Sequence, residues 1–328
     1  MNRTDIFSSA DVLARLRGSV HAKAGNFYAM YSSVLGGIVT DPALMVLPLD
    51  DHMVHRGHAV FDTATLTHGM LYQLDPHLDR LLRSAELARI PLPFPREQLR
   101  QIILDTAAAS GRREGSVRYW LSAGPGGYGL GPAECIGSSF YVIVFKQEAY
   151  PESYYTEGIK LATSQVPIKP PLFARIKSTN YLPNVLVVLE AKDRNADNGV
   201  FIDQRGMVAE SSNMNVAFVT KERVFRHPPF DAILSGITIQ RVLEFAQRLV
   251  QQGDLKEIRI ADIPVNEGHQ AAEMMLIGSS IKVAPVVQWD SQPIGAGKPG
   301  PITKKLLEMW NEDARSAQDQ LVPVPYPD

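Results

Sequence analysis

The sequence predicts an α+β protein of two domains with a ligand cleft between them. The chain has 328 residues, about twice the usual length of a single domain. Its 45% hydrophobic and 21% charged residues are typical of a globular protein. Hairpins and amphipathic helices follow one another without a strict strand–helix alternation, which favours α+β layers over a wholly parallel sheet.

Residues 1–147 are predicted to form a small N-terminal α/β domain. Its expected elements are an amphipathic helix capped by Ser9, a hairpin over 60–72, helices around 78–85 and 99–107, and strands over 116–123 and 140–146. Between the last two strands lies the glycine-rich loop 124–132, which suits close approach of the backbone to a ligand.

The polar stretch 148–157 is predicted to be an interdomain linker, and residues 158–328 a larger C-terminal domain. The expected elements of this domain are a hairpin over 199–209, strands over 215–220, 258–263, 274–278 and 286–290, and helices over 183–194, 237–252 and 302–316.

Composition and charge favour a small-molecule partner. A net charge of −2 and a pI near 6.5 give no general attraction for nucleic acid or an anionic membrane. The single cysteine, Cys135, cannot form an intrachain disulfide, and no apolar run reaches the roughly 18–20 residues that cross a bilayer. The first twenty residues lack the uninterrupted apolar core of a signal peptide. We therefore expect a cytoplasmic protein, and the histidine spacing predicts no metal site.

Lys177 is the first candidate for chemistry. The segment Ile176-Lys177-Ser178-Thr179-Asn180-Tyr181 places it between an apolar residue and a polar turn. A lysine amine forms a Schiff base with a carbonyl cofactor when partial desolvation lowers its pKa. The alternative is a solvated surface lysine, the usual case for this residue type.

Glu210 ends a predicted strand and precedes a polar run that includes Asn213. A carboxylate there could pair with a protonated pyridine nitrogen and make the ring a better electron sink. The alternative is a turn glutamate facing water.

Several groups could bind a phosphate. Gly236-Ile237-Thr238 opens a predicted helix, whose amides and threonine hydroxyl could cradle an anion or simply begin the helix. Ser279 and Ser280 end an apolar strand and offer further donors, or form an ordinary turn. Arg80 could add a forked cationic contact, or lie on the solvated face of its helix.

Arg118 lies in the middle of a predicted strand, an unusual place for an unpaired charge. Either a substrate carboxylate or an internal acid could neutralise it. Cys135 is predicted to be a buried apolar residue rather than a nucleophile.

The order and spacing of these motifs resemble the class IV aminotransferases, which depend on pyridoxal 5′-phosphate and have fold type IV. The resemblance covers roughly residues 25–310. It rests on His77-Leu78-Asp79-Arg80-Leu81, Lys177 with Asn180, Glu210 with Asn213, and Gly236-Ile237-Thr238. Within the family, residues 29–33, 49–58, 118–126 and 272–275 are similar to D-amino-acid transaminases of the plant type.

This resemblance implies transfer of an amino group from an amino acid, with D-amino acids such as D-alanine favoured, to a 2-oxo acid such as 2-oxoglutarate or pyruvate. Lys177 would be the Schiff-base lysine and proton shuttle, and Glu210 would pair with the pyridine nitrogen. The implied cofactor-binding set is Arg80, Lys177, Glu210, Asn213, Gly236, Ile237, Thr238, Ser279 and Ser280. Family membership also implies a homodimer with shared active sites.

The sequence departs from bacterial D-alanine transaminases at the substrate carboxylate. Those enzymes hold it with a tyrosine and an arginine, and the matching positions here are Phe61 and Ala123. We expect Arg118 to take the carboxylate instead.

The other predicted substrate-binding residues are Phe61, Tyr31, Arg56 and His58. The activities of 4-amino-4-deoxychorismate lyase, (R)-selective amine transaminase and branched-chain aminotransferase remain alternatives. A cofactor-binding protein without turnover is the alternative from another class.

Overall fold

A computed structural model describes residues 4–327. The helices are α1 (Ser9–Gly18), α2 (His52–Arg56), α3 (Leu74–Leu87), α4 (Arg96–Ala109), α5 (Ser153–Thr156), α6 (Pro171–Ala174), α7 (Leu182–Asp193), α8 (Ile237–Gln251), α9 (Val265–His269) and α10 (Pro301–Ser316). Short 3₁₀ helices cover Ala22–Asn26, Pro42–Leu44 and Pro132–Glu134.

The strands are β1 (Phe27–Ser32), β2 (Gly37–Val39), β3 (Ala59–Thr67), β4 (Met70–Tyr72), β5 (Gly115–Ser122), β6 (Ser139–Phe145), β7 (Ile159–Thr163), β8 (Asn198–Ile202), β9 (Val208–Ser211), β10 (Asn215–Val219), β11 (Val224–His227), β12 (Glu257–Ile260), β13 (Glu273–Gly278), β14 (Lys282–Trp289), β15 (Gln292–Pro293) and β16 (Leu321–Pro323). No helix in the described part of the chain is both long and apolar enough to span a membrane.

The first sheet is antiparallel, with strand order β16-β4-β3-β5-β6-β1-β2. Helices α3 and α4 pack against it through fully buried side chains that include Leu78, Leu81, Leu99 and Ile103. Full burial of one such side chain stabilises the fold by roughly 1.5–3 kcal/mol. The apolar stripes expected over 78–85 and 99–107 therefore form a core against the first sheet.

The second sheet closes on itself. Its order is β12-β11-β10-β13-β14-β7-β8-β9, and β9 also pairs with β10. The pairs β11–β12, β14–β7 and β7–β8 are parallel. Alternate residues of β10 enter different cores, since side chains of a strand point to opposite faces in turn. Val216 and Phe218 join one core, while Ala217 and Val219 join another that includes Phe245 of α8.

Two segments from the second half of the chain hydrogen-bond to the first sheet. Strand β16 pairs with β4, which extends the first sheet by a strand from the C-terminal end of the described chain. The Lys177 segment runs beside β3, where Phe61 N donates to Lys177 O at 2.9 Å and Thr179 N donates to Ala59 O at 2.9 Å. These bonds place Lys177 beside the first sheet.

Some local expectations were wrong. The cap of α1 is Ser8, not Ser9, and Ser8 forms a capping box with Asp11. Cys135 is half-exposed rather than buried. In the loop 124–132, a Cβ on Gly124, where φ is +97°, would lie 1.8 Å from the carbonyl oxygen of Gly137, and the loop's approach to a ligand stays a prediction. The loop's glycines therefore permit it to close on the following segment.

Candidate active site

A cavity of about 540 Å³ is lined by residues from both halves of the chain. Its wall includes eleven residues that the sequence predicted for the site: Phe61, Arg80, Arg118, Lys177, Glu210, Asn213, Gly236, Ile237, Thr238, Ser279 and Ser280. The folding of distant segments thus brings all the predicted cofactor-binding residues to one place.

Three predicted substrate residues lie outside this wall. Tyr31 packs near Phe140, with ring centroids 6.4 Å apart. Arg56 is exposed and donates from Nε to the carbonyl oxygen of Gly129 at 3.1 Å, so it supports the glycine-rich loop. The Nε2 atom of His58 lies 2.9 Å from the carbonyl oxygen of Ala88. Their roles in substrate binding stay predictions.

Lys177 is half-buried at the centre of the cavity wall. Its Nζ donates to the hydroxyl of Tyr181 at 3.2 Å and lies 4.7 Å from the centre of the Phe61 ring. The pKa of Lys177 is lowered to about 8. Burial is the largest cause, and the positive charge of Arg80 is the second. An amine with this pKa is unprotonated often enough near neutral pH to attack a carbonyl group.

Glu210 is buried at the end of β9. Its Oε2 accepts a hydrogen bond from Leu234 N at 3.2 Å, and in residues 4–327 no cationic nitrogen lies within 4.0 Å of the carboxylate. Burial raises the pKa of Glu210 to about 7. A buried carboxylate without a cation is a fitting partner for the protonated ring nitrogen of a pyridine.

The first turn of α8 faces the same cavity. Gly236 caps the helix without a side-chain hydrogen bond, and a Cβ at this position would lie 2.1 Å from Oδ1 of Asn215. The hydroxyls of Thr238 and Ser279 are 3.3 Å apart, so α8 and the end of β13 present their donors together. Ser280 is exposed. Helix N-terminal amides with two hydroxyls make a cradle for a phosphate group, and Ser279 fits it better than Ser280.

Arg80 is buried, which rules out the solvated helix face. Its Nε and Nη2 donate to the two oxygens of Asp62 at 2.8 Å each, and its Nη1 donates to the carbonyl oxygen of Ser235 at 3.2 Å. Nδ1 of His77 lies 2.7 Å from Oδ1 of Asp62. Burial alone would raise the pKa of Asp62, but Arg80 and His77 outweigh it and hold that pKa far below its ordinary value. The fork of Arg80 thus binds Asp62, and Nη1, which donates one hydrogen bond to Ser235, has a second N–H to offer.

Arg118 reaches the cavity from β5. It is half-buried, its Nε donates to the hydroxyl of Thr63 at 2.9 Å, and its guanidinium lies 5.4 Å from the centre of the Phe61 ring. Burial lowers the pKa of Arg118. Within the described range, no carboxylate lies within 4.0 Å of this guanidinium. Within residues 4–327 an internal acid is therefore not a direct partner of Arg118, and binding of an external anion stays a prediction.

Sequence reasoning missed Asp62 and Tyr181. Asp62 occupies a core position of β3, in phase with the buried Val60, Ala64 and Leu66. An acid in phase with apolar residues of a strand is a signal of a buried partner, and this signal could have been found. Tyr181 falls at the end of the Lys177 motif, and only the turn geometry shows that its hydroxyl meets the lysine.

Comparisons with known proteins identify the family. The sequence model of the class IV aminotransferases matches residues 59–289. The chain belongs to this family. It is 52% identical to the chloroplastic D-amino-acid transaminase of Arabidopsis thaliana over 326 residues, which covers 98% of this chain and 85% of that one. It is 26% identical to the D-alanine aminotransferase of Bacillus licheniformis over 277 residues, covering 83% and 93% of the two chains.

A solved structure shows the same fold. A branched-chain amino acid aminotransferase of T.th., in a structure with pyridoxamine 5′-phosphate, aligns with a TM-score of 0.83 and 25% identity. The alignment covers 91% of this chain and 99% of that one. The protein is an aminotransferase with fold type IV, and its cofactor is pyridoxal 5′-phosphate.

The electrostatics of Glu210 give a pH prediction for the cofactor-free enzyme. The folded pKa of Glu210 is about 7, above the ordinary value of 4.5, so the folded state binds more protons between these two values. The free energy of unfolding should therefore fall as pH rises from about 4.5 to 7, by roughly 3 kcal/mol. Urea denaturation of wild type and Glu210→Gln at several pH values measures this. A decline of equal size in the variant would assign it to other groups.

Arg80→Ala should weaken cofactor binding by about tenfold, because the free N–H of Nη1 would donate one charge-assisted hydrogen bond of ~1.5 kcal/mol to a bound phosphate. It should also lower the free energy of unfolding by about 3–5 kcal/mol, since Asp62 is left buried without its cation. Equilibrium dialysis and urea denaturation measure the two effects separately.

Two controls make the Arg80 result specific. Arg83→Ala removes an exposed arginine from the same helix and should change neither quantity. Pyridoxal, which lacks the phosphate, should bind to wild type and Arg80→Ala equally well. A loss of pyridoxal affinity as large as the loss for pyridoxal 5′-phosphate would contradict a phosphate role for Arg80.

Proposed function

We propose that this class IV aminotransferase moves the amino group of D-amino acids, D-alanine among them, to a 2-oxo acid such as 2-oxoglutarate or pyruvate. The observation that carries the proposal is the 52% identity to a D-amino-acid transaminase over 98% of the chain. The unpaired Arg118 in the cavity wall supports it, because a substrate amino acid brings a carboxylate.

The cavity residues fit pyridoxal 5′-phosphate by the chemistry of their donors. Arg80 Nη1, the amides of Ile237 and Thr238, and the hydroxyls of Thr238 and Ser279 would hold the phosphate. Glu210 would hold the ring nitrogen, and Lys177 the aldehyde carbon. Bound there, the cofactor supplies an electron sink for negative charge at the substrate α-carbon. Asn213 is exposed at the cavity wall, and its role stays a prediction.

Lys177 would move the proton in both halves of the transfer. Its pKa of about 8 lies close to neutral pH, where a group accepts and returns protons with little loss of driving force. Burial raises the pKa of Tyr181 to about 12, so this hydroxyl stays neutral and accepts the hydrogen bond that orients Nζ. The ring of Phe61 covers the amine and limits its contact with water.

A half-reaction assay tests which amino donor the enzyme accepts. Holoenzyme is mixed in separate samples with D-alanine, L-leucine, (R)-1-phenylethylamine and 4-amino-4-deoxychorismate, and the cofactor spectrum and products are followed. D-Alanine should convert the cofactor to its aminated form and release pyruvate fastest. A faster reaction with L-leucine or (R)-1-phenylethylamine would make that donor's activity the function, and pyruvate released from 4-amino-4-deoxychorismate without amino transfer would indicate the lyase.

We also propose a homodimer in the cytoplasm. Supporting the dimer, α6 and α7 expose a run of large apolar side chains: Leu172, Phe173, Leu182, Val185, Leu186, Val188 and Leu189. Exposed apolar surface of this kind marks contact sites, and three of these residues, Val185, Val188 and Leu189, also line the cavity. A second subunit on this face would border the active site. Sedimentation of wild type and Leu186→Glu tests the assembly.

A further inference from the structure

The C-terminal part of the described chain is bonded to the start of α3 at two consecutive residues. The hydroxyl of Tyr72, the last residue of β4, donates to Oδ2 of Asp313 at 2.6 Å. Gln73 donates from its backbone N to the carbonyl oxygen of Gln320 at 2.7 Å, and from Nε2 to Oε1 of the same residue at 3.0 Å. The next residue, Leu74, is the first residue of α3. Residues near the C-terminus therefore hold the point at which α3 begins.

Gln73 has a backbone conformation that requires such support. It is the N-cap of α3, with φ +53° and ψ +36°, whereas an N-cap residue ordinarily has an extended backbone. The left-handed region costs free energy for a residue with a side chain, and such residues persist where their surroundings fix them. Gln73 is buried and makes no side-chain cap bond to the helix. Its two bonds to Gln320 are therefore contacts that fix this junction.

Tyr72 also connects the first sheet to the core around α8 and α10. Among the described residues, it is the only residue of the first sheet that is buried in this core, whose other buried members lie within residues 217–314. Its ring meets the Trp310 ring edge to face, with the ring centroids 5.5 Å apart. The residue that precedes α3 by two positions is thus packed against the elements that carry α8.

Asp313 joins Tyr72 to α8 itself. The Oδ2 atom that accepts from the Tyr72 hydroxyl also accepts from Nε of Arg241 at 2.9 Å, and Oδ1 accepts from Nη2 of Arg241. All three residues are buried, where charge-assisted hydrogen bonds hold a fixed geometry. Arg241 lies one helical turn beyond Thr238. The link therefore ends close to the first turn of α8.

The two helices that are joined in this way carry the proposed phosphate donors. Arg80 lies six residues beyond Leu74, about 9 Å along α3, and its Nη1 donates to the carbonyl oxygen of Ser235, just before α8. The amides of Ile237 and Thr238 open α8. A rotation of α3 about its first turn would move the guanidinium relative to these amides. Because one phosphate must accept from both helices, its binding depends on how they are held relative to each other.

We propose that Asp313 is a positioning residue for the cofactor phosphate: through Tyr72 and Arg241 it fixes the start of α3 relative to α8, so that both helices reach the same phosphate. The inference rests on the phosphate cradle proposed above. It adds a residue that is not among those lining the cavity. Without this link, cofactor binding would also have to order the two helices, and the affinity would fall.

A purely structural role is the alternative, because Asp313 also neutralises the buried Arg241. Loss of the ion pair would then lower the free energy of unfolding, while folded molecules would bind the cofactor as before. A positioning role lowers the affinity of the folded protein for pyridoxal 5′-phosphate and spares pyridoxal, which has no phosphate. The two roles therefore differ in what the folded protein binds.

Tyr72→Phe tests the link with the least disturbance, because it removes one hydroxyl and keeps both the ring beside Trp310 and the ion pair of Asp313 with Arg241. Equilibrium dialysis should show roughly three- to tenfold weaker binding of pyridoxal 5′-phosphate, with pyridoxal binding within about twofold of wild type. The phosphorus NMR signal of the bound cofactor should move towards that of the free cofactor. Urea denaturation establishes that each variant is folded under the assay conditions.

Tyr326→Phe is the matched control, since it removes a hydroxyl that donates to the carbonyl oxygen of Arg112, and it should change neither affinity. Asp313→Asn should weaken binding of pyridoxal 5′-phosphate further, by roughly ten- to thirtyfold. Adding Tyr72→Phe to Asp313→Asn should cause little extra loss, because both changes break the same link.

Equal losses for pyridoxal, an unmoved phosphorus signal or full cofactor affinity in Tyr72→Phe would overturn the inference. The Arg80→Ala measurement described above tests the phosphate cradle itself. An incorrect cradle would leave the affinity of Arg80→Ala for pyridoxal 5′-phosphate unchanged. An incorrect positioning role would leave that of Tyr72→Phe unchanged while Arg80→Ala still loses affinity, so the two failures give different results.

Discussion

Lys177→Ala should lower turnover by roughly 10⁴-fold or more, because in the proposed function the same amine would hold the cofactor and move the proton. The variant should still fold. The wild-type amine has its pKa lowered by burial to about 8, so keeping it charged at neutral pH costs folding energy. Alanine removes that cost along with the chemistry.

The measurement has two parts. Treatment of wild-type holoenzyme with borohydride should fix the cofactor to the peptide that contains Lys177, as a mass gain, and the variant should show no such gain. Lys192→Ala, at an exposed position of α7, should keep full activity. Cofactor trapped on another lysine, or wild-type turnover in Lys177→Ala, would make the assignment wrong.

The candidate residues that line the cavity could be picked out from the sequence because each motif carries its own local signal. A glycine and threonine at a helix start, a glutamate at a strand end and a lysine before a polar turn keep their order in the chain. None of these signals shows how close the residues of different motifs come to one another. The structure shows this, since the antiparallel hydrogen bonds between β3 and the Lys177 segment bring Lys177 beside Phe61.

Interactions between distant residues were the part that sequence could not give. Nothing near Arg80 in the chain shows that its fork is occupied by Asp62, eighteen residues earlier. The contact arises because α3 packs on β3 and both residues face the same buried layer. Likewise β16 pairs with β4, and a short strand that contains Pro323 has no periodic signal of its own.

Arg118→Leu should raise the KM for D-amino acids by roughly ten- to hundredfold, because the substrate carboxylate loses a charged partner in a half-buried site. The donor (R)-1-phenylethylamine has no carboxylate, so any wild-type activity on it should change much less. Steady-state kinetics with the two donors measures the contrast. Arg175→Leu is the matched control, since this arginine is exposed and lies two residues from Lys177.

The geometry of Arg118 gives a physical reason to expect different effects on the two donors. The Nε of Arg118 is held by Thr63, so the outer edge of the guanidinium is available to form two parallel hydrogen bonds with a carboxylate. Leucine removes the charge, its donors and the guanidinium's contact with the Phe61 ring. Equal losses for both donors would show that Arg118 supports the fold or the cofactor. The substrate carboxylate would then need another partner, for which Arg56, His58 and a group of the proposed second subunit stay predictions.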